Sequence, residues 1–263
     1  MMPAGSRVLL TGATGGIGRA MLRALRRSGA ATMGVSRSPA DFTAADAADQ
    51  PQVWVQGDLS RPEDIDRVAR SATAWGADTL VHAAGVPAFG AFDELDPAEV
   101  ARVLQLNLWS PIALTRALLP HLRQMPQARI VFVGSALGRI GVPGSAVYGA
   151  SKAGLHRLAE ALRRELAGSA VGVQWLAPRA TRTAFNSARS EAFNRATQTH
   201  SDPPEVVAQA LIELLRSGAA ERHIGFPERL AVRLNGVLGP LMDAGFRKHR
   251  DALLSLPSEG SSS

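Results

Sequence analysis

Short apolar runs alternate with longer amphipathic stretches along almost the whole chain. Val8–Leu10, Thr32–Val35, Val53–Val55, Thr79–His82, Ile130–Val133 and Val171–Leu176 have the length and composition of buried strands. Between them, apolar residues return every three or four positions over Gly18–Ser28, Pro62–Ala74, Pro97–Met125 and Val147–Leu166, the period of helices with one buried face. Three starts carry helix signals: Ser60 with Glu63 as a capping box, Asp96-Pro97 ahead of Glu99, and Asp202-Pro203-Pro204 ahead of Glu205. Strands that are apolar on both faces and joined by helices form βαβ crossovers. The expected fold is therefore α/β, a single doubly wound parallel sheet flanked by helices on both faces. No internal repeat interrupts it. One domain is expected over residues 1–257, including a C-terminal extension at 228–257, and Ser258–Ser263 reads as a disordered tail.

A chain of 263 residues that is 46% hydrophobic can fill one core of this kind. It has no cysteine, which excludes disulfides and thiolate metal sites, and no metal centre is expected. Met-Met-Pro-Ala-Gly-Ser-Arg leads directly into the first strand pattern, and no apolar run approaches the ~18 residues of a membrane span, so a cytoplasmic location is expected. The net charge of +6 invites a nucleic-acid reading. The basic residues do not support it: they are scattered along helices with no basic run of five or more and no interleaved aromatics, and no nucleic-acid partner is expected.

The chemistry begins after the first strand. Thr11-Gly12-Ala13-Thr14-Gly15-Gly16-Ile17-Gly18 joins that strand to the first helix. Its glycines permit a tight turn and let backbone N–H groups approach a pyrophosphate at the helix N-terminus, where the dipole favours negative charge. The spacing resembles the first turn of the short-chain dehydrogenase/reductases, Thr-Gly-x-x-x-Gly-x-Gly, in the branch that includes the 3-oxoacyl-thioester reductases. That family has a Rossmann-like fold, and the resemblance implies that Gly12, Thr14, Gly16, Ile17 and Gly18 hold a dinucleotide.

The end of the second strand bears on which dinucleotide. A carboxylate there would bind the adenosine ribose and repel a 2′-phosphate. This strand ends Gly34-Val35-Ser36-Arg37-Ser38, with no acid before Asp41. Arg37 can pair with a phosphate and Ser36 can donate to it, so NADP(H) is expected over NAD(H). Asp58 and Leu59, after the third strand, resemble the family segment that contacts adenine. His82-Ala83-Ala84-Gly85 stands where the family has Asn-Asn-Ala-Gly. Ala84 and Gly85 are cofactor contacts by resemblance, and His82 reads as a hydrogen-bonded substitute for a bracing asparagine.

Tyr148-Gly149-Ala150-Ser151-Lys152 is the most informative segment. Residues at i and i+4 share a helix face, with Cβ atoms about 5–6 Å apart. A free tyrosine has a pKa of about 10, and a neighbouring ammonium favours its phenolate, so Lys152 is expected to lower the pKa of Tyr148 and make it a workable acid–base. Composition supports the pair. Tyr148 is the only tyrosine, and Lys152 and Lys248 are the only lysines among 29 Lys and Arg residues. A compact ammonium can sit beneath a phenol and bond a ribose where a planar guanidinium fits poorly. Ser135, thirteen residues before Tyr148, is at the family spacing for the hydroxyl that holds the substrate oxygen. Asn107 precedes Pro111 by four residues. The missing N–H of Pro111 frees the Asn107 carbonyl, where the resemblance places a proton-relay water.

Pro178-Arg179-Ala180-Thr181-Arg182-Thr183 follows the sixth strand, where the family has Pro-Gly and then a threonine on the nicotinamide amide. Pro178, Thr181 and Thr183 are cofactor candidates, and Arg179 departs from the pattern. The polar stretch from Arg179 to His200 reads as a mobile loop over the site. Phe185 and Phe193 in it could cover an apolar substrate, and Arg182, Arg189 and Arg195 could meet an anionic one. Leu230, Leu234, Val237, Leu238 and Leu241 recur at helical spacing, open to packing on the domain or a sister subunit, to a lid role, or to a peripheral membrane contact. The resemblance as a whole, over Arg7–Thr183, implies hydride transfer between NADP(H) and a carbonyl or alcohol, with an acyl or other lipophilic substrate among the options, in a homodimer or homotetramer. The alternative is a non-catalytic NADP(H)-binding regulator or scaffold.

Overall fold

The computed structural model describes residues 5–37, 50–225, 235, 240 and 243–257. Seven parallel strands form one sheet in the order β3-β2-β1-β4-β5-β6-β7. They are β1 (Arg7–Thr11), β2 (Ala31–Ser36), β3 (Val53–Gln56), β4 (Thr79–His82), β5 (Ala128–Val133), β6 (Val171–Ala177) and β7 (Glu221–His223). The α-helices whose full span lies among the described residues are α1 (Gly16–Arg27), α2 (Pro62–Trp75), α3 (Pro97–Leu104), α4 (Ser110–Leu122), α5 (Ala146–Glu165), α6 (Ala188–Thr197), α7 (Pro204–Ser217) and α8 (Arg247–Ser255).

Side chains alternate between faces along each strand, which divides the interior into two cores. Leu9, Met33, Leu80, Ile130 and Phe132 point to the face covered by α2, α4 and α5, where Ile65, Val68, Leu114, Leu118 and Leu155 meet them. Val8, Leu10, Val81, Val131 and Leu176 point to the opposite face, against Met21, Leu22 and Leu25 of α1 and Leu211, Leu214 and Leu215 of α7. The strand order reverses between β1 and β4, leaving a crevice beyond the carboxyl ends of those two strands.

Four local expectations are corrected. Ser60 does not cap α2. Its hydroxyl donates to Asp58 Oδ1 at 2.7 Å, Arg61 is the N-cap without a side-chain bond, and Pro62 opens the helix. Asp96 does cap α3, accepting from the Ala98 N–H at 2.8 Å, but Asp202 does not cap α7 because its carboxylate is held by Arg179. The single helix expected over Pro97–Met125 is α3 and α4 joined by a π-turn at Gln105–Trp109. Pro111 explains the join: it has no N–H for the Asn107 carbonyl and its ring crowds that oxygen, so the backbone widens just before it. The Arg179–His200 stretch is not a plain loop, since it contains α6 with Ser187 as a side-chain cap. Leu230, Leu234, Val237, Leu238, Leu241 and the tail Ser258–Ser263 lie outside the described residues. Among the described residues no helix is long and apolar enough to cross a membrane.

Candidate active site

The glycine turn lies in the crevice, held against β4. Gly12 has φ +67°, and a Cβ there would come within 2.7 Å of Ala84 Cα. The Thr11 hydroxyl makes this approach possible, accepting the backbone N–H groups of Ala83 and Ala84 at 3.1 Å each. A Cβ on Gly18 would sit 2.0 Å from the Gly12 carbonyl oxygen, so α1 can begin this close to the turn only with glycine there. Arg19 donates from Nε to the Thr14 carbonyl at 3.1 Å and braces the turn, while Ile17 packs into the core behind it. Bare backbone at the N-terminus of a twelve-residue helix fits a pyrophosphate.

The second-strand residues sit at one end of the same crevice. Ser36 and Arg37 leave β2 beside the turn after β3. The Gly57 N–H donates to the Ser36 carbonyl at 2.9 Å, and Gln56 Nε2 donates to the Arg37 carbonyl at 2.9 Å. The Arg37 guanidinium is exposed. Asp58 accepts from the Ser60 N–H and hydroxyl. Those bonds, chiefly the backbone one, hold its pKa below the usual range against a smaller effect of burial, with Arg37 adding to the lowering. Leu59 is buried.

Beyond β4 and β5 the structure brings Asn107, Ser135, Tyr148 and Lys152 together. Ser135 leaves β5 and caps the 3-10 turn Ala136–Gly138, its Oγ accepting the Leu137 N–H at 3.1 Å. That turn presses on α5: a Cβ on Gly138 would be 2.9 Å from the Lys152 backbone. The Ser135 hydroxyl is close enough to the Tyr148 phenol to favour its ionised form. Asn107 is fully buried and grips the chain after β4, with Oδ1 accepting the Val86 N–H at 2.8 Å and Nδ2 donating to the Val86 carbonyl at 2.9 Å. Its Nδ2 also reaches the Ser151 hydroxyl at 3.3 Å, and that hydroxyl donates to the Tyr148 carbonyl at 2.7 Å. The roles of Thr11 and Ser151 escaped the sequence reading; for Ser151 the signal was its place three residues after Tyr148, on the same helix face.

The electrostatics differ from the expectation for Lys152. Its Nζ donates to the Val133 carbonyl at 3.1 Å and stands 5.7 Å from the centre of the Tyr148 ring. Burial governs both groups. It pushes the phenol up to about 12, opposed by the nearby Ser135 hydroxyl, and lowers the ammonium to about 8. The Tyr148 phenol therefore keeps its proton at neutral pH. Gly85 lets the cluster close, since a Cβ there would meet Asn107 Oδ1 at 3.1 Å and Lys152 Nζ at 3.6 Å.

His82 is a brace. It is buried, its Nε2 lies 2.8 Å from Thr115 Oγ1, and its ring stacks on Phe132 at 5.0 Å. Desolvation, and then Lys152, lower its pKa from 6.5 to about 3. The folded chain keeps this ring neutral where the unfolded chain protonates it, so its contribution to stability is complete above pH 6.5 and is lost as pH falls from there towards about 3. His82→Asn is expected to flatten the pH dependence of unfolding free energy in that window by about one proton. Acid titrations followed by circular dichroism check this, and an unchanged slope would contradict it.

After β6, the Pro178 carbonyl accepts the Ala136 N–H at 3.0 Å, tying this segment to the Ser135 turn. Arg179 makes a two-pronged ion pair with Asp202, Nε and Nη2 each 2.8 Å from a carboxylate oxygen. Thr181 bridges to Asp202, closing the base of the 181–201 excursion. The two candidate threonines part here. Thr181 is buried and its hydroxyl donates to the Arg179 carbonyl, whereas Thr183 lies over the glycine turn, its Cγ2 2.6 Å from where a Cβ on Gly16 would be. Phe185 meets Tyr148 edge-on at 5.8 Å.

Residues 6–194 fit the family model described as short chain dehydrogenase, and the chain belongs to that family. It is 33% identical over 180 residues to a ketoacyl reductase of Nostoc sp., covering 66% of this chain and 63% of that protein, less than two thirds of its length. It is 30% identical over 224 residues to nodulation protein G of Rhizobium sp., covering 82% of this chain and 91% of that one. A crystal structure of a short-chain dehydrogenase from Streptomyces avermitilis superimposes with a TM-score of 0.78 at 28% identity, covering 92% of this chain and 97% of that one. The fold and the site define an oxidoreductase of the short-chain dehydrogenase type.

Proposed function

We propose that the protein is an NADP(H)-dependent oxidoreductase that moves hydride between the nicotinamide and a carbonyl or secondary alcohol, with Tyr148 as the acid–base. The observation that carries this reading is the Tyr148 phenol within reach of Ser135, with the buried Lys152 ammonium 5.7 Å from its ring centre, in the crevice that also holds the glycine turn. Bound NADP(H) supplies the hydride. Ser135 holds the substrate oxygen, and Tyr148, protonated at neutral pH, delivers a proton to that oxygen as negative charge builds on it. Lys152 binds the cofactor ribose and returns a proton to Tyr148. Asn107 fixes the chain after β4 and, through the Ser151 hydroxyl, the Tyr148 backbone, and Thr183 faces the nicotinamide end of the crevice. The exposed Arg37 and the lack of an acid at the end of β2 favour a 2′-phosphate. One catalytic unit spans residues 1–257, and copies associate as a homo-oligomer in the cytoplasm.

The test is NADPH consumption across acetoacetyl thioesters, steroid ketones and aromatic aldehydes, with NADH in parallel. Turnover of at least one class with NADPH preferred is expected. NADPH binding without turnover of any carbonyl would instead favour a regulator or scaffold.

A further inference from the structure

The substrate end offers two kinds of side chain, arginines for an anion and phenylalanines for an apolar group. The structure treats them differently. Arg189 is paired with Glu94 at 2.8 Å, its side chain only 9% exposed. Arg179 is taken by Asp202, and Arg182 donates from Nη1 to the Ser201 carbonyl at 2.7 Å. These cations hold the excursion in shape. Arg195 lies on α6 with an exposed side chain.

Three of the phenylalanines converge instead, and a fourth, Phe185, meets Tyr148. Of the six in the described residues, only Phe132 lies in the sheet core, and the other five leave the carboxyl ends of the strands or sit on the C-terminal segment. Phe89 packs on Phe193 at 5.0 Å, and His249 joins Phe193 to Phe246 through ring contacts of 5.9 and 5.2 Å. Gly144, at φ +81°, permits the closure, since a Cβ there would meet Phe89 at 2.7 Å and Leu253 at 3.1 Å. Phe185 stands at the centre of the question. Its N–H donates to the Thr183 hydroxyl at 3.3 Å, so three residues link the glycine turn, through Thr183, to the Tyr148 phenol, through the Phe185 ring. That ring is 36% exposed and edge-on to the phenol, an apolar wall at the place where a carbonyl held by Tyr148 would carry its substituent.

We propose that the substrate carbonyl bears an uncharged apolar group, aryl or alkyl, that lies against Phe185, and that Phe185 is the residue setting specificity for it. This rests on the oxidoreductase reading above. An apolar group against an aromatic wall gains from burial, whereas a carboxylate there would be desolvated, with Arg179 and Arg189 already paired to Asp202 and Glu94.

The experiment compares an aryl alkyl ketone with an oxoacid of matched size in the full chain, measuring kcat and KM with NADPH for the wild type, Phe185→Ala and Phe185→Leu. The wild type is expected to favour the aryl ketone. Phe185→Ala should lower kcat/KM for it about 10–100-fold, mostly through KM, and leave NADPH affinity and the unfolding midpoint unchanged. Phe185→Leu should restore most of the loss. Equal or better turnover of the oxoacid by the wild type, or an equal effect of Phe185→Ala on both ketones, overturns this inference and leaves the oxidoreductase reading standing. No turnover of any carbonyl, with NADPH still bound, overturns both.

Discussion

Tyr148→Phe is expected to lower turnover about 10²–10⁴-fold, the usual worth of a positioned general acid. The substitution removes one hydroxyl and keeps the ring. The edge contact with Phe185, the Ser151 bond to the backbone carbonyl of residue 148 and the Leu137 N–H bond to Ser135 all remain available. NADPH affinity is therefore expected to change little, which separates loss of chemistry from loss of the site. Steady-state rates and cofactor titration on the same preparation check this, and wild-type turnover by the variant would contradict it. The wild-type pH profile carries a second signature of the site. Burial holds Tyr148 near 12, so its ionisation lies well above neutral, while the Lys152 ammonium, lowered to about 8, loses its charge as pH rises through that value. Reductive turnover is expected to decline above about pH 8 for that reason.

Asp202→Ala is expected to cost about 2–3 kcal/mol of stability. The pair is largely buried, with side chains 16% and 11% exposed, and removing the carboxylate leaves the Arg179 guanidinium without its two-pronged acceptor. Breaking a fully buried pair costs about 3–5 kcal/mol, and the remaining exposure reduces that. A loss of this size lowers the unfolding midpoint of a chain of this length by roughly 5–10 °C. Asp202 also anchors the base of the 181–201 excursion through backbone bonds with Ala180 and Arg182, which any residue there can keep. The loss should therefore reflect the ion pair. Its partner is Arg179, so Arg179→Ala in the Asp202→Ala background should cost little more, and a double-mutant cycle measures the coupling. Arg179 lowers the Asp202 pKa, so the pair's contribution is present above the ordinary value of 3.8 and is lost as pH falls through the lower folded value. Additive costs in the cycle would show that the pair is not coupled.

The six principal strands were legible because their apolar runs are covered on both faces. The edge strand β7 was not: it is only Glu221-Arg222-His223, half-buried, and paired with β6 alone. The helix α6 was hidden in a polar stretch because just one of its residues, Phe193, is buried, leaving little periodicity to read. The gathering of Asn107, Ser135, Tyr148 and Lys152 was legible from spacing and from the rarity of tyrosine and lysine. What each atom does was not. Lys152 bonding the Val133 carbonyl and Asn107 gripping both polar groups of Val86 depend on partners 19 and 21 residues away. Asp202 looked like a helix cap because Asp-Pro-Pro usually starts a helix, and only the fold brings Arg179 to it.

In the proposed reaction hydride passes between the nicotinamide and a carbonyl carbon at Tyr148. The most direct measurement uses NADPH carrying deuterium at its transferable position, an aryl ketone as acceptor, and mass and NMR analysis of the alcohol formed by the wild type and Tyr148→Phe. One deuterium on the former carbonyl carbon, in a single configuration, is expected from the wild type, and almost no alcohol from the variant. Unlabelled alcohol, or equal labelled alcohol from both proteins, would contradict it.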